Sequence, residues 1–391
     1  MKEKRRYCPL FGKCGGCDYV NSDYREELGE KFFRVNKMVQ SFGDVEQVLP
    51  SPHITGYRCK IQAVCGHDKD GKFITGIYRK GSHKLIPVRS CLLEDGRATA
   101  ILQTVRQMAN RFGIKAYDED FDYGDLRHIV IRVGFNTNEV MVVLVTAHDD
   151  FPHKADFVSA LHQKNPEIKT ICQIINRDRT SMVIPENAKV KTLYGKGYII
   201  DKLCGLRFRI GPTSFYQVNP EQTENLYTIA MRMAQLREDD IVIDAYCGTG
   251  TIGLIAASYG VEKVIGIEAN EEAVNDARKN AEMNKLENVE FVTADASKYL
   301  KEMAKNKERC SVLFLDPPRS GSTEEFLAAA GRLDPDVIVY ISCNPDTLGR
   351  DLRYVRRFLP YKVRGIQPVD MFPGSEHVET VVLMSRVNTL D

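Results

Sequence analysis

The sequence contains no apolar run long enough to span a bilayer. Its first residues, Met1-Lys-Glu-Lys-Arg-Arg6, are followed by no apolar stretch of the kind that forms a secretory signal. A cytoplasmic protein with no membrane partner is therefore expected. The chain also lacks a charge bias: 54 Lys and Arg against 53 Asp and Glu give a formal net charge of +1. That balance neither marks nor excludes a nucleic-acid partner, and any electrostatic footprint must be local. Internal repeats and low-complexity segments are absent, so arrays and biased tails drop out.

What is present describes an ordinary globular protein, 43% hydrophobic and 27% charged over 391 residues. That length has room for roughly two or three domains with ample core. Eleven cysteines is an odd number, unevenly spread. In a reducing compartment they read as thiols, metal ligands or catalysts, not disulfides.

From about Asp239 onward, short β-rich runs alternate with helical patterns. The runs are Ile241–Ala245, Val264–Ile267, Val289–Thr293, Val312–Leu315 and Val337–Ile341. Such alternation predicts a parallel sheet with helices on both faces. Two further runs, Lys362–Pro368 and Thr380–Ser385, have no helix between them and predict an antiparallel edge. Residues 1–205 read differently, as a separate α+β domain, which leaves 206–391 as the α/β domain.

Asp244-Ala-Tyr-Cys-Gly248-Thr-Gly250-Thr-Ile-Gly253 follows a strand and opens a helix. Its glycines permit a tight turn and close backbone approach to a ligand. Glu268 ends the next strand, where an acid suits the ribose hydroxyls of an adenosine. Asp295 and Asp316 stand at later strand ends, although Asp295 also fits a plain helix cap. A nicotinamide dehydrogenase would use a similar loop. The series of acids is similar to the S-adenosylmethionine-dependent methyltransferase fold.

Val337-Ile-Val-Tyr-Ile-Ser342-Cys343-Asn344-Pro345 places one thiol at the carboxyl end of a strand, where open α/β sheets bind ligands. Pyrimidine C5 is a poor nucleophile toward a methyl sulfonium. A thiolate added to C6 makes C5 enolate-like, so one difficult step becomes two easier ones. A base must then remove the C5 proton. Glu379, in His377-Val-Glu379-Thr at the start of the last run, is placed for that, with His377 in a supporting role.

Near the N-terminus, Cys8, Cys14 and Cys17 form a C-x5-C-x2-C run rich in glycine. A fourth ligand must come from far away; Cys91 is the leading choice, with Cys59 and Cys65 as rivals. Four thiolates can hold zinc or an iron–sulfur cluster, and spacing alone does not decide. The run is not the C-x3-C-x2-C of radical enzymes. Arg350, Arg353 and Arg357 recur at helical offsets and predict a basic stripe for phosphates, with a solvated helix face as the alternative. Lys4, Arg5, Arg6 and Lys13 add charge near the cysteine run. Tyr57-Arg58 and Tyr78-Arg79-Lys80 interleave rings and charge as single-strand RNA binders do.

Together the motifs resemble the RNA 5-methyluridine (uracil-C5) methyltransferase family. The matching segments are Ser214-Phe-Tyr-Gln217-Val-Asn219, Asp244 to Gly250, Asp316-Pro-Pro-Arg319-Ser-Gly321, Ser342 to Pro345, and His377-Val-Glu379. The resemblance implies Cys343 as nucleophile and Glu379 as proton-abstracting base. It implies S-adenosylmethionine contacts from Gln217, Tyr246, Glu268 and Asp316, with Thr251 and Asp295 as additions. It also implies a [4Fe–4S] cluster on Cys8, Cys14, Cys17 and Cys91, Gly81-Ser82-His83 preceding the last of these. Only seven residues precede Cys8, so the small RNA-binding β-barrel of some members is expected to be absent. The expected function is methylation of uridine C5 in RNA by a monomer acting on a flipped-out base. The leading substrate is 23S ribosomal RNA, with transfer RNA as the alternative. Two other readings compete: a non-catalytic iron–sulfur RNA-binding protein, and a nicotinamide oxidoreductase.

Overall fold

The computed structural model describes residues 6–79, 81–82, 84–178, 182–185 and 188–387. Lys4, Arg5, Lys80 and His83 lie outside the described residues. The chain forms two compact units. One comprises Met1–Asn21, His53–Lys202 and Arg209–Pro220; the other comprises Ser22–Pro52, Leu203–Phe208 and Glu221–Asp391. The single boundary expected at 205/206 is thus replaced by several crossings. The reason lies in helix α1 (Tyr24–Val39), which sequence reading left unassigned. Asp23 caps it by accepting from the Arg25 N–H, and Glu26 and Glu27 in the first turn suit the helix dipole. Its Val35 and Val39 are fully buried in the second unit's core, in one cluster with Ile338, Leu348 and Leu352.

The first unit contains β1 (Lys60–His67), β2 (Phe73–Tyr78), β3 (Leu85–Pro87), α2 (Gly96–Phe112), β4 (Leu126–Val133), β5 (Val140–Thr146), α3 (Lys154–Lys164), β6 (Ile168–Ile175) and β7 (Val190–Gly195). The sheet order is β3-β2-β1-β4-β5-β6-β7. Only β5 and β6 pair in parallel, and α3 supplies the crossover this requires. Apolar faces of α2 and α3 (Ile101, Val105, Phe157, Leu161) meet Ile129, Ile131, Val142 and Leu144 of the sheet. A two-stranded sheet of β8 (Ile199–Leu203) and β9 (Leu206–Ile210) follows.

The second unit's remaining elements alternate. They are α4 (Pro220–Ala234), β10 (Ile241–Ala245), α5 (Thr251–Ala257), β11 (Lys263–Glu268), α6 (Glu271–Asn284), β12 (Val289–Thr293), α7 (Ala296–Lys305), β13 (Val312–Leu315), α8 (Glu324–Leu333), β14 (Val337–Ser342), α9 (Pro345–Phe358), β15 (Tyr361–Val369) and β16 (Glu379–Arg386). The order is β12-β11-β10-β13-β14-β16-β15. Strands β10 to β14 run parallel, and β16 lies antiparallel to both β14 and β15. The expected parallel sheet with an antiparallel edge is therefore present. Between β10 and β13 the strand order reverses, and crevices at such a reversal are where doubly wound folds hold ligands. Among the described residues, no helix is long and apolar enough to cross a membrane.

Candidate active site

All five parallel strands end at one edge of the sheet. Tyr246 follows β10, Glu268 ends β11, Asp295 is two residues beyond β12, Asp316 follows β13 and Cys343 follows β14. Because β16 runs the other way, its first residue, Glu379, starts at that same edge. Six chemically capable side chains thus gather from segments far apart in sequence.

The glycine loop after β10 is held from below. Asn280 Nδ2 donates to the Thr249 carbonyl at 3.0 Å. Gly250 has φ +81°, and a Cβ there would lie 2.6 Å from the Phe291 ring. A Cβ on Gly248 would meet nothing within 4 Å, so that side of the loop is open. The buried Asp244 carboxylate accepts from the Gly253 N–H at 2.7 Å, while its other oxygen, Oδ1, has no partner. Burial pushes this carboxyl up to about 8, with Asp316 and Glu268 adding to the effect. Glu268 ties the loop to the end of β11, accepting from Gly248 N–H at 3.1 Å and Asn270 N–H at 2.9 Å. Tyr246 has φ +63°, a left-handed conformation that is costly for a residue with a Cβ. Its ring packs against Phe326 at 5.1 Å, and burial pushes its hydroxyl up to about 12. Thr251 is half-buried at the first turn of α5. An open loop face, an orphaned buried carboxylate oxygen and acids at neighbouring strand ends fit a nucleoside-type cofactor.

Asp295 does what a cap does: its side chain accepts from the Lys298 N–H at 2.9 Å. Gln217 lies in the first unit, where its carbonyl accepts from the Cys59 thiol at 3.5 Å.

Around Cys343 the turn is built by Asn344 and Pro345. The Asn344 side chain accepts from Asp346 N–H at 3.1 Å and so caps α9, and Pro345 fills the first helical position, where no N–H is needed. The register of β14 with β16 pairs Ser342 with Thr380, so Cys343 and Glu379, the next residues outward, reach one edge, where the Glu379 charge acts on the Cys343 thiol. Burial pushes the Cys343 thiol up to about 11; Glu379 and Asp316 add to this, and Arg319 opposes it. Glu379 is only 4% exposed. Its carboxyl is raised, first by burial and then by Asp316, while Arg319 again opposes. Burial raises Asp316 as well. Arg319 is the cation common to this group. Its Nη2 donates to His377 Nε2 at 3.0 Å, and its carbonyl accepts from Asn344 Nδ2 at 3.1 Å. The motif Asp316-Pro-Pro-Arg319 contains Arg319 but by itself assigns it no role; the available signal is a cation three residues after a strand-end acid.

Two expected RNA contacts are corrected. Arg350 is not a free phosphate ligand: it pairs with Asp351 at 2.7 Å and donates to the carbonyls of Ser320 and Ser322 at 2.9 and 2.8 Å. Arg353 and Arg357 remain exposed on α9. Tyr57 is 2% exposed and packs with Val20 and Leu93, so its ring is no stacking platform. Tyr78 is 42% exposed.

At the N-terminus, Cys8, Cys17 and Cys91 pack against that same Val20–Tyr57–Leu93 cluster. The Cys17 thiol is pushed up to about 12 by burial, then by Cys91, Cys14 and Cys8. The rivals Cys59 and Cys65 are instead buried in the core beneath α2. The backbone turns at Gly12 and Gly15, at φ +73° and +70°. The loop is pinned where Cys8 N–H donates to Asn21 Oδ1 at 2.7 Å. Among the described residues, no three His, Cys, Asp or Glu side chains are closed into a metal-binding geometry. Cys91, Cys14 and Cys8 are near enough to Cys17 to act on its thiol, and thiolates are the donors that an iron–sulfur or zinc centre takes.

A glycine loop followed by acids at successive ends of a seven-stranded sheet in this order defines a methyltransferase that uses S-adenosylmethionine. More narrowly, the chain belongs to the family described as tRNA (Uracil-5-)-methyltransferase, whose pattern matches residues 23–387. It is 38% identical over 386 residues to an uncharacterized RNA methyltransferase of Halalkalibacterium halodurans, covering 97% of this chain and 83% of that one. Another uncharacterized RNA methyltransferase, from Oceanobacillus iheyensis, is 40% identical over 374 residues, covering 94% and 80%. Among solved structures, the Pyrococcus abyssi tRNA (uracil-54, C5)-methyltransferase in complex with S-adenosyl-L-homocysteine superposes with a TM-score of 0.78 at 28% identity. That match covers 97% of this chain and 87% of that one. The chain is an enzyme of this RNA methyltransferase family.

Proposed function

We propose that this enzyme methylates C5 of a uridine in RNA through a covalent adduct on Cys343. The observation that carries the reading is that Cys343 and Glu379 flank the paired residues Ser342 and Thr380 at one edge of the sheet and that the Glu379 charge acts on the Cys343 thiol. S-adenosylmethionine, which Glu268, Asp316 and Tyr246 would hold with Thr251 and Asp295 as additions, supplies an electrophilic methyl group. The Cys343 thiol gives its proton to solvent water and its sulfur bonds to uracil C6, which moves the 5,6 electron pair onto C5 and O4. C5 then takes the methyl group as the sulfonium S–CH3 bond breaks, and S-adenosylhomocysteine is the leaving group. Glu379 removes the C5 proton, the C5–C6 double bond re-forms, and the C6–S bond breaks to release Cys343. A carboxylate with a raised pKa is the better base for this proton. Arg319 and His377 hold the charged groups in place. The uridine must leave its stack to reach the thiol.

Cys8, Cys14, Cys17 and Cys91 would hold a [4Fe–4S] cluster, whose place is in the first unit, and no catalytic step runs through it. We place 23S ribosomal RNA first as substrate. Transfer RNA is the second reading, favoured by the family description and by the P. abyssi neighbour.

Mapping 5-methyluridine in ribosomal and transfer RNA from a strain lacking the gene, before and after treatment with purified enzyme and methyl-labelled cofactor, tests this. Restoration at one ribosomal uridine supports the first reading, and restoration in transfer RNA supports the second. Cofactor binding with no methyl transfer to either RNA would point to a non-catalytic RNA-binding protein instead.

A further inference from the structure

A buried ionic knot lies outside the machinery just described, all of it within the second unit. Lys31 of α1 is 1% exposed and its partners Glu27 and Asp370 are fully buried. Lys31 Nζ donates to Glu27 Oε1 at 2.8 Å, to Asp370 Oδ1 at 2.6 Å and to the Phe372 carbonyl at 3.2 Å. The same Glu27 oxygen accepts from the Gly374 N–H at 2.6 Å. Tyr24 donates its hydroxyl to Asp370 Oδ2 at 2.7 Å and accepts from the Ser51 N–H at 2.8 Å. One turn along α1, Arg34 donates to the Glu376 carbonyl at 3.1 Å and pairs with Asp346 at 3.7 Å. Outside α1, these polar contacts of Glu27, Lys31 and Arg34 fall on the loop joining β15 to β16 or on the first turn of α9.

These are the two arms that carry Cys343 and Glu379. Val369, the residue before Asp370, is the ladder partner of Glu379. The loop that Lys31 clamps also bears His377, the partner of Arg319. An apolar contact could hold such a loop in several registers. Directional bonds from one ammonium to two carboxylates and a carbonyl allow one. A buried cation is also expensive to desolvate, so as a device for stability alone it contributes little over a hydrophobic triad.

We infer that Tyr24, Glu27, Lys31 and Asp370 are positioning residues for the proton-abstraction step: they set the place of Glu379 relative to Cys343. This inference rests on the reaction proposed above. It predicts a step-specific defect. Methyl transfer needs Cys343 and the cofactor, while release of the adduct needs Glu379.

The test uses full-length enzyme with its natural, unfluorinated RNA. The triple variant Glu27→Gln, Lys31→Met, Asp370→Asn replaces the knot with neutral groups of similar size. Cofactor affinity, measured by calorimetry, should change little. Turnover should fall about 100-fold, the cost of a small misplacement, and mainly in kcat. A methylated protein–RNA adduct should accumulate. Turnover at the wild-type rate would overturn the inference, as would parallel loss of adduct, turnover and cofactor binding. If the triple variant does not fold, Tyr24→Phe, which leaves both ion pairs, decides: adduct accumulation supports the inference and wild-type kinetics without adduct overturn it. Wild-type enzyme serves as the control on the reaction itself. If it forms neither adduct nor 5-methyluridine, the proposed function fails with everything built on it; if it does both, only the positioning role is in question.

Discussion

Glu379 and Cys343 reach the same edge of the sheet because the antiparallel register of β14 and β16 pairs Ser342, the residue before Cys343, with Thr380, the residue after Glu379, and the Glu379 charge raises the Cys343 thiol pKa. The two residues have opposite predicted phenotypes. Cys343→Ala should abolish both methylation and covalent trapping of a 5-fluorouridine RNA. Glu379→Gln should slow turnover by about 10²–10⁴-fold, the usual worth of a positioned base, while adduct accumulates on ordinary RNA. A denaturing gel of labelled RNA reads both.

Cys343 reactivity should follow the charges around it. Glu379 raises the thiol pKa and Arg319 lowers it. In the ligand-free enzyme at fixed pH, Glu379→Gln should therefore speed alkylation of Cys343 by iodoacetamide. Arg319→Met should slow it. Peptide mass mapping against time is the measurement, and equal rates in all three proteins would contradict the electrostatic account.

Stability should fall as pH rises. The folded protein holds Asp244 at about 8, against about 3.9 for an unperturbed aspartate. Between those values the folded state keeps a proton that the unfolded chain has lost, so raising the pH favours unfolding. Asp316 and Glu379 are shifted in the same direction. The stabilisation is complete below pH 4 and is lost as pH climbs through 8. Urea midpoints of the ligand-free enzyme should decline across this range, and Asp244→Asn should make the decline shallower.

Gly250→Ala tests the loop. Its left-handed φ and the Phe291 ring below both oppose a methyl group. The expected loss is about 1–3 kcal/mol of stability, with weaker cofactor binding by calorimetry. Unchanged stability and affinity would mean the loop shifts freely.

Serine at Cys8, Cys14, Cys17 or Cys91 should each remove iron and sulfide from protein purified without oxygen. Serine at Cys59 or Cys65, which sit in a different core, should leave both in place. Zinc without sulfide in the wild type would overturn the cluster.

Much of the second unit was legible in sequence because each parallel strand is a short run rich in apolar and β-branched residues followed by a helix start. Val312–Leu315 and Val289–Thr293 were read to the residue. Helix α1 was not read, because its partners Asp370 and Phe372 lie more than 300 residues away and a half-polar helix announces no domain. Arg350 was misread for a similar reason: helical spacing puts it on a surface, and only the fold shows Asp351 and two carbonyls waiting for it.

The sequence by itself determined which residues have the chemistry: a thiol at a strand end, acids after successive strands, a glycine loop and four cysteines. These are local facts, set by side-chain type and by the period of the element that carries them. Tertiary structure alone decided which of them meet. An antiparallel last strand turned Glu379 back toward Cys343, burial raised both of their pKa values, and a helix from the other end of the chain clamped the loop between them. Register, burial and long-range ion pairs depend on the whole packed fold.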